Sequence, residues 1–414
     1  MSLINIAMVA DWQYKMPLET TIKSIFYHNQ HVNLYIINPD IPQEWFRTLN
    51  HFADQLHSHL IDCKYDPATL KSQTISLDHV DSTSSARLLI PDLVKADRVL
   101  YLDADLIVCQ DLTTLYQTEL EDHAVAAVTD WGQPSDFNAG VMLLNLKKIR
   151  ETANITQQML DFGAQPNLPT GDQSVYNHFF GGDRYLRLPA EDNLQMGQEQ
   201  KIANWIANGV PNADHLMAEI QDHLKSMPDA VIVHYLGAAK PWNIISVCRH
   251  RDLWWQYHDL DWNEVSHHVT LPVPFNKQQP QLLIYTYTDQ LAHLDEFIQH
   301  LPNITFNICT PGLFNDHWNK LLQYSNVNLY SVVMDDQLTQ LKHDCQAYLD
   351  ITKVPEEYKG TALLKELLEH GVPVYSFNAT QTPSLVDHDH YHVFGDDQVH
   401  ELETALFSQL VLND

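Results

Sequence analysis

Apolar and polar residues succeed one another along this chain in blocks that predict strands and helices in turn. Ile4 to Val9 and His31 to Ile37 read as strands, with a helix over Leu18 to His28 between them. Ser82 to Val94 reads as a helix leading into Val99 to Leu102, an apolar run suited to a core strand. Ala230 to Val233 is another strand-like run. Gln195 to Lys225 reads as largely helical, with Ile202, Trp205, Ile206 and then Leu216, Ile220, Leu224 spaced for packed faces. Such alternation implies a mostly parallel sheet with helices on both faces. Ligands of such sheets bind at the carboxyl ends of strands, where Asp11, Asp103 and His234 are expected to fall.

A break follows. Leu271 to Pro280 carries Pro272, Pro274 and Pro280 among polar spacers and reads as a linker between a domain over residues 1–270 and a second over 281–414. The second repeats the α/β pattern. Its expected strands are Gln281 to Thr286, Thr305 to Cys309, Val327 to Val333, Cys345 to Ile351 and Val372 to Phe377. Its expected helices are Gln290 to His300, Phe314 to Tyr324, Lys359 to His370 and Val399 to Leu412. The aromatic cluster Trp254, Trp255, Tyr257 and Trp262 reads as core that closes the first domain, in preference to a sugar-stacking platform.

A chain of 414 residues exceeds one ordinary domain, in agreement with that division. Its 24 Lys and Arg against 53 Asp and Glu leave a net charge of −29, which repels nucleic acid and anionic lipid. An anionic ligand therefore needs local positive charge. Cys63, Cys109, Cys248, Cys309 and Cys345 are scattered with no C-x-x-C spacing, which fits a reducing cytosol. Neither a signal peptide nor an 18-residue apolar run is evident, so the expectation is a cytoplasmic protein without a transmembrane segment. His388, His390 and His392 alternate in a way that could bind metal but reads better as a polar strand edge or loop.

Candidate chemistry centres on Asp103-Ala104-Asp105, at the exit of the Val99 to Leu102 run. Two residues apart, the carboxylates point the same way and repel each other. A hard divalent cation relieves that repulsion, and Mg²⁺ or Mn²⁺ so held completes its shell with waters and phosphate oxygens. The competing reading is a solvated strand end. His234-Tyr-Leu-Gly-Ala-Ala-Lys-Pro-Trp242 adds an imidazole as a third ligand, Gly237 for close backbone approach to an anion, and Lys240 as a point charge. Its competing reading is a turn after a strand, with Trp242 packed in the core.

Together these segments resemble glycosyltransferase family 8, the retaining enzymes that use UDP-sugars. The likeness spans Met1 to Trp262 and includes Ile4 to Asp11 with Tyr14, Ile22 to Ile25, Ser85-Ala-Arg-Leu88, Phe137 to Asn145, Asp172-Gln173 and the His234 to Trp242 run, in the family's order. The resemblance implies a GT-A catalytic domain of Rossmann-like α/β type. It implies Mn²⁺, with Mg²⁺ as the alternative, on Asp103, Asp105 and His234. Ala10, Asp11, Tyr14, Ala104, Gly237 and Lys240 would contact UDP. Arg87, Asn138, Ala139 and Asp172 would meet the donor sugar, and Gln173, beside Asp172, would lie near the anomeric carbon. Trp12 and Gln13 stand where many members have Asp-Asn, and Ser85 replaces a frequent aromatic residue.

The tail resembles the nucleotide-binding half of two-lobed glycosyltransferases that act on serine-rich bacterial adhesins, through Leu301 to Phe306, Asn326 to Tyr330 and Ala347 to Ile351. Glu356 and Glu357 stand where a diphosphate would need glycine and basic residues, which implies a non-catalytic Rossmann-like add-on for docking, dimerisation or holding the acceptor. The combined resemblance implies a cytoplasmic hexosyltransferase that extends the O-glycan of a serine-rich-repeat glycoprotein, with galactose favoured over glucose and association with other glycosyltransferases. Alternatives are a glucosyltransferase acting on a glycoprotein or lipopolysaccharide-type acceptor, an inactive sugar-nucleotide-binding protein, a glycogenin-like self-glycosylating primer, and a metal-dependent phosphatase. Gln173 is a poor nucleophile, which favours same-face transfer over a covalent intermediate, though the residues leave both open.

Overall fold

The computed structural model describes residues 3–70, 82–165, 168–243, 248–271, 278–310, 316–330, 333 and 335–411. Residues 272–277 of the expected linker lie outside them, as do 314–315, 331–332 and 412 at the edges of expected elements. The chain divides into two compact units, Met1–Pro241 with His250–Pro272, and Trp242–Arg249 with Val273–Asp414.

The first unit is built on a seven-stranded sheet. Its strands are β1 (Ile4–Val9), β2 (Val32–Asn38), β3 (His59–Lys64), β4 (Arg98–Leu102), β6 (Val125–Thr129), β7 (Phe137–Asn145) and β8 (Leu186–Arg187). They lie in the order β3-β2-β1-β4-β7-β6-β8. β1 to β4 pair in parallel, with Ile6 opposite Leu34 on one side and Leu100 on the other, whereas β7 runs antiparallel to both β4 and β6. Central strands buried on both faces need continuous apolar runs, and β1, β4 and β7 supply them. The helix Lys15–His28 packs Leu18, Ile22, Ile25 and Phe26 inward at helical spacing. Pro17 falls in its first turn, where its missing N–H has no intrahelical partner to lose.

A smaller sheet stands beside the first, in the order β5-β10-β9, from β5 (Leu106–Val108), β9 (Leu194–Met196) and β10 (Ile232–Tyr235). It corrects two expectations. Gln195 and Met196 are strand, not helix, because Leu194 to Met196 pair with Val233 to Tyr235; the helices Gln198–Ala207 and Ala213–Leu224 begin only after Gly197 turns the chain at φ +94°. His234 lies inside β10, opposite Leu106 and Gln195, and not at the carboxyl end of a main-sheet strand. The expected helix over Ser82 to Val94 is a 3₁₀ turn over Ser82–Leu89 and one α turn over Ile90–Leu93. Ser and Thr there compete with the backbone for hydrogen bonds, and Pro91 cannot extend a preceding helix. Trp254 and Tyr257 are buried on the helix Arg251–Asp259, as core.

The second unit holds an all-parallel six-stranded sheet, order β13-β12-β11-β14-β15-β16. These strands are β11 (Gln281–Tyr285), β12 (Thr305–Cys309), β13 (Val327–Tyr330), β14 (Ala347–Asp350), β15 (Val374–Phe377) and β16 (Tyr391–Phe394). β16 is an edge strand and carries His392 exposed, as a polar edge should. At the end of β14 the Asp350 carboxylate meets Lys359 at 2.7 Å, both side chains buried, and also accepts from the Thr382 and Tyr391 hydroxyls. Among the described residues no helix is long and apolar enough to cross a membrane.

Candidate active site

β4 and β10 deliver the acidic pair and the imidazole to one point. Asp103 follows β4 directly, and its N–H donates to Gly140 O on β7 at 2.8 Å. The Tyr235 N–H donates to Asp105 O, which ties the far side of the pair to β10. Thr21 Oγ1 from the helix Lys15–His28 donates to Ala104 O and Leu106 O and pins the loop from below. As a result Asp103, Asp105 and His234 each bring a ligating atom within 4.8 Å of the others, a grouping unique to them among the described residues. His234 Nε2 stands 3.2 Å from Asp105 Oδ1 and 3.7 Å from Asp103 Oδ2.

Three observations fit this cradle to a hard divalent cation. Asp105 Oδ1 and His234 Nε2 are buried without a hydrogen-bond partner, yet face each other. The Nδ1 of His234 lies 3.0 Å from Asn193 Oδ1, an acceptor, so Nδ1 donates there and Nε2 is the nitrogen turned to the carboxylates. Lone pairs converging from an imidazole and two carboxylates suit a cation. Finally, the approach is possible only because residue 140 is glycine: a Cβ there would lie 2.1 Å from His234 Cε1 and 2.7 Å from Asp103 Oδ2.

Positive charge arrives from both sides. Lys240 Nζ donates to Asp105 Oδ2 at 2.5 Å and to Tyr235 O at 2.6 Å. Burial alone would push the Asp105 carboxyl up, but the Lys240 ammonium outweighs it and holds it well below the usual carboxylate range. Arg87, at the end of the 3₁₀ turn, pairs with Asp172, reaches Asp103 Oδ1 at 3.3 Å, donates to Ala139 O at 2.8 Å and lies over the Tyr101 ring. Tyr101 also donates to Asp103 Oδ1 at 2.6 Å. Burial raises the Asp172 carboxyl, and Arg87 opposes that.

Asp172 and Gln173 open the helix Asp172–Phe180, after Gly171 turns the chain at φ +56°. Gln173 Oε1 accepts from the Ala139 N–H at 3.1 Å, and its Nε2 donates to Asp130 Oδ2 at 3.0 Å. Asn138 is equally engaged: Nδ2 donates to Asp130, and Oδ1 accepts from Gly140 N and Asn193 Nδ2. A polar side chain inside the buried strand β7 needs such partners.

The remaining sequence candidates border this centre. Burial first, then Asp105, Asp103 and Asp11, push the Tyr14 phenol upward, so it stays protonated close to the acids. Asp11 accepts from the Tyr14 N–H at 2.9 Å and from Thr83 Oγ1 at 3.3 Å, and Ala10 is held to Ile37 O at the end of β1. Gly237, two residues past β10, takes φ +71°, a conformation that favours glycine. Three positions that bear on this cluster were given no role in the sequence reading: Asp130, Gly140 and Asn193. A glycine within an apolar strand is a sign of close backbone approach. Nothing local marks the other two.

Residues 5–246 match the family described as Glycosyl transferase family 8, and residues 282–410 match the GftB/GlyA-F C-terminal domain. The glycosyltransferase GlyF of Streptococcus pneumoniae serotype 4 is 33% identical over 386 residues, 91% of this chain and 92% of GlyF. GlyD of the same organism is 34% identical over 92% of this chain, which spans 46% of GlyD. The crystal structure of S. pneumoniae TIGR4 GlyE superposes with a TM-score of 0.54 at 28% identity, covering 99% of this chain and 100% of GlyE. The chain is thus a glycosyltransferase of α/β, GT-A-like fold, and it belongs to glycosyl transferase family 8.

Proposed function

We propose that this chain is a retaining, Mn²⁺-dependent hexosyltransferase that moves galactose from UDP-galactose to the glycan of a serine-rich-repeat glycoprotein in the cytoplasm. The observation that carries the reading is the pair of orphaned, buried atoms His234 Nε2 and Asp105 Oδ1, 3.2 Å apart beside Asp103. Bound there, the cation would supply Lewis-acid stabilisation for the charge that develops on the departing diphosphate.

The chain's own residues do the rest. Lys240 adds a positive charge next to the acidic pair, and Gly237 lets the following backbone approach a phosphate. Tyr14, with its phenol protonated, offers a stacking face for uracil, and Asp11 and Ala10 border the base. Arg87 is committed to Asp172, Asp103 and Ala139 O, so it positions the sugar-facing groups. Gln173 is held at both ends of its amide, which suits a fixed dipole beside an oxocarbenium-like sugar and not a nucleophile. The favoured course is same-face transfer. The bond from the anomeric carbon to the phosphate oxygen breaks, the acceptor oxygen bonds to that carbon, and its proton passes to the leaving phosphate oxygen.

Galactose over glucose rests on the combined resemblance of the two domains, and the C-terminal unit is assigned to docking or holding the acceptor, alone or with another glycosyltransferase. Its best-placed carboxylate, Asp350, is neutralised internally by Lys359, which supports a lobe without catalysis. The deciding experiment incubates each UDP-sugar with Mn²⁺ and measures UDP release with and without a glycopeptide acceptor. UDP-galactose is expected to turn over fastest, and only when acceptor is present. Faster turnover of UDP-glucose would reassign the donor, and no release with any donor would leave a sugar-nucleotide-binding protein.

A further inference from the structure

We propose that the C-terminal unit carries a carbohydrate-binding platform, made of Tyr287 and Tyr358 joined by Tyr285, that takes a neutral pyranose of the acceptor glycan. The inference deepens the assignment of this unit to holding the acceptor and rests on it. In the order β13-β12-β11-β14-β15-β16 the chain changes side between β11 and β14, and ligands of such sheets enter the crevice beyond the carboxyl ends of those two strands. Here backbone closes that crevice. The segments leaving β11 and β14 bond to each other: Ala292 N–H donates to Ile351 O and Lys353 N–H to Gln290 O, both at 2.9 Å, around a bridge between Leu291 and Thr352. Lys359, the buried cation next to β14, is committed to Asp350. A nucleotide finds no entry between these loops, so a ligand must sit on their rim.

That rim is aromatic. Among the described residues, Tyr358 at 64% and Tyr287 at 55% are the most exposed of the large apolar side chains. They stand on the loops that follow the paired strands β11 and β14. The hydroxyls of Tyr285 and Tyr287 share a hydrogen bond at 3.0 Å, with their rings edge to face at 5.4 Å. A Cβ at Gly360, two residues past Tyr358, would lie 3.4 Å from Tyr285 Cδ1, so the second loop closes on the same ring. Both loops are tied down. Thr286 Oγ1 accepts from the Thr288 N–H and donates to Thr288 O, while Tyr358 N–H donates to Pro355 O and Lys359 N–H to Glu356 O. Aromatic side chains fixed in this way lose little freedom when a ligand arrives.

The chemistry of the rim selects a sugar. A pyranose presents a face of C–H groups, which stack on the electron-rich face of a tyrosine, and a girdle of hydroxyls that need acceptors. The phenol oxygens and the exposed carboxylate of Glu357, beside Tyr358, supply them. That carboxylate, in a chain of net charge −29, also repels an acidic sugar.

The test compares the full chain with Tyr287→Ala, Tyr358→Ala, the double alanine variant and the double phenylalanine variant. Both side chains are exposed, so their removal leaves the core intact. Methyl galactoside, methyl glucoside and methyl N-acetylglucosaminide serve as neutral probes and methyl glucuronide as the acidic one, each titrated by saturation-transfer NMR. At least one neutral probe is expected to bind, with Kd raised roughly 10-fold by each alanine and binding lost in the double alanine variant. The double phenylalanine variant should keep most of the binding, since it keeps the stacking faces, and methyl glucuronide should show no difference between variants. Neutral-probe signals that are equal in the unmodified chain and the double alanine variant, or absent from both, would overturn the proposal. So would unchanged sugar binding with a dimer lost on sedimentation, which would give the patch to a second copy of the chain. Transfer to a glycopeptide separates this proposal from the reading beneath it. A double alanine variant that loses the probe but keeps its glycopeptide KM leaves the platform standing and removes the unit from acceptor holding; a raised KM with unchanged probe binding does the reverse.

Discussion

Lys240 donates to Asp105 Oδ2 at 2.5 Å, so the residue assigned to the diphosphate also neutralises one half of the acidic pair. The two tasks compete, since a divalent cation draws the carboxylate toward itself and releases the ammonium toward phosphate. Lys240→Met should therefore separate metal binding from nucleotide binding. UDP affinity is expected to fall by about 1.5–3 kcal/mol, the worth of a hydrogen bond to a charged group. The metal-free variant should melt lower, because Asp105 is left buried without its partner. Added Mn²⁺ should then raise its melting temperature by more than it raises that of the unmodified chain. Equal Mn²⁺ shifts would contradict the competition.

Gly140→Ala places a methyl group 2.1 Å from the His234 ring. Overpacking of this kind costs about 1–3 kcal/mol. Thermal unfolding should show that loss, and Mn²⁺ should no longer stabilise the variant, since His234 and Asp103 must part to admit the methyl.

Gln173→Ala is expected to lower turnover on the order of 10²-fold, the usual cost of removing one preorganised dipole, with donor KM changing little. Steady-state kinetics on the best donor provides the check. Equal damage to both parameters would make Gln173 a binding residue only.

Burial, and then the neighbouring Glu191, raise the Asp192 carboxyl from 3.8 to about 6. Between those values the folded state holds more protons than the unfolded one, so this group lowers stability as pH rises through the window and leaves it lowered above about 6. Asp192→Asn should stabilise the protein at neutral pH by up to about 3 kcal/mol, with the gain shrinking to nothing below the unfolded-state pKa. Paired denaturant melts across that range would reveal the difference.

In the C-terminal unit, Lys359→Met leaves Asp350 charged, buried and short of its cation. Breaking such a pair from one side costs about 3–5 kcal/mol. The expected result is an earlier unfolding transition for that unit by calorimetry. A melt identical to that of the unmodified chain would mean that Thr382 and Tyr391 suffice.

Local spacing made part of the site legible. Asp103 and Asp105 are two residues apart at the end of the apolar run Val99 to Leu102, which forms β4 as its pattern implies. Trp254 is core, as the aromatic cluster suggested. The misreadings have two origins. Gln195 and Met196 lie in a polar stretch that a helix would suit, yet they pair with β10; Ser82 to Leu89 has enough apolar residues for a helix but the wrong local hydrogen-bonding habits.

From the residues alone came the alternating strands and helices, the acidic pair, the imidazole with its following lysine, and the glycine freedom at 237, because each depends on neighbours a few positions away. Only the folded chain decided that His234 would sit within a strand, that Gly140 would leave room for it, and that Asn193 would bear on its ring. Those partners are 41 to 55 residues apart along the hydrogen-bond line from Asn138 to His234. Hydrogen bonds between buried side chains depend on distance in space, and no pattern of neighbouring residues encodes which distant strand will come to lie alongside.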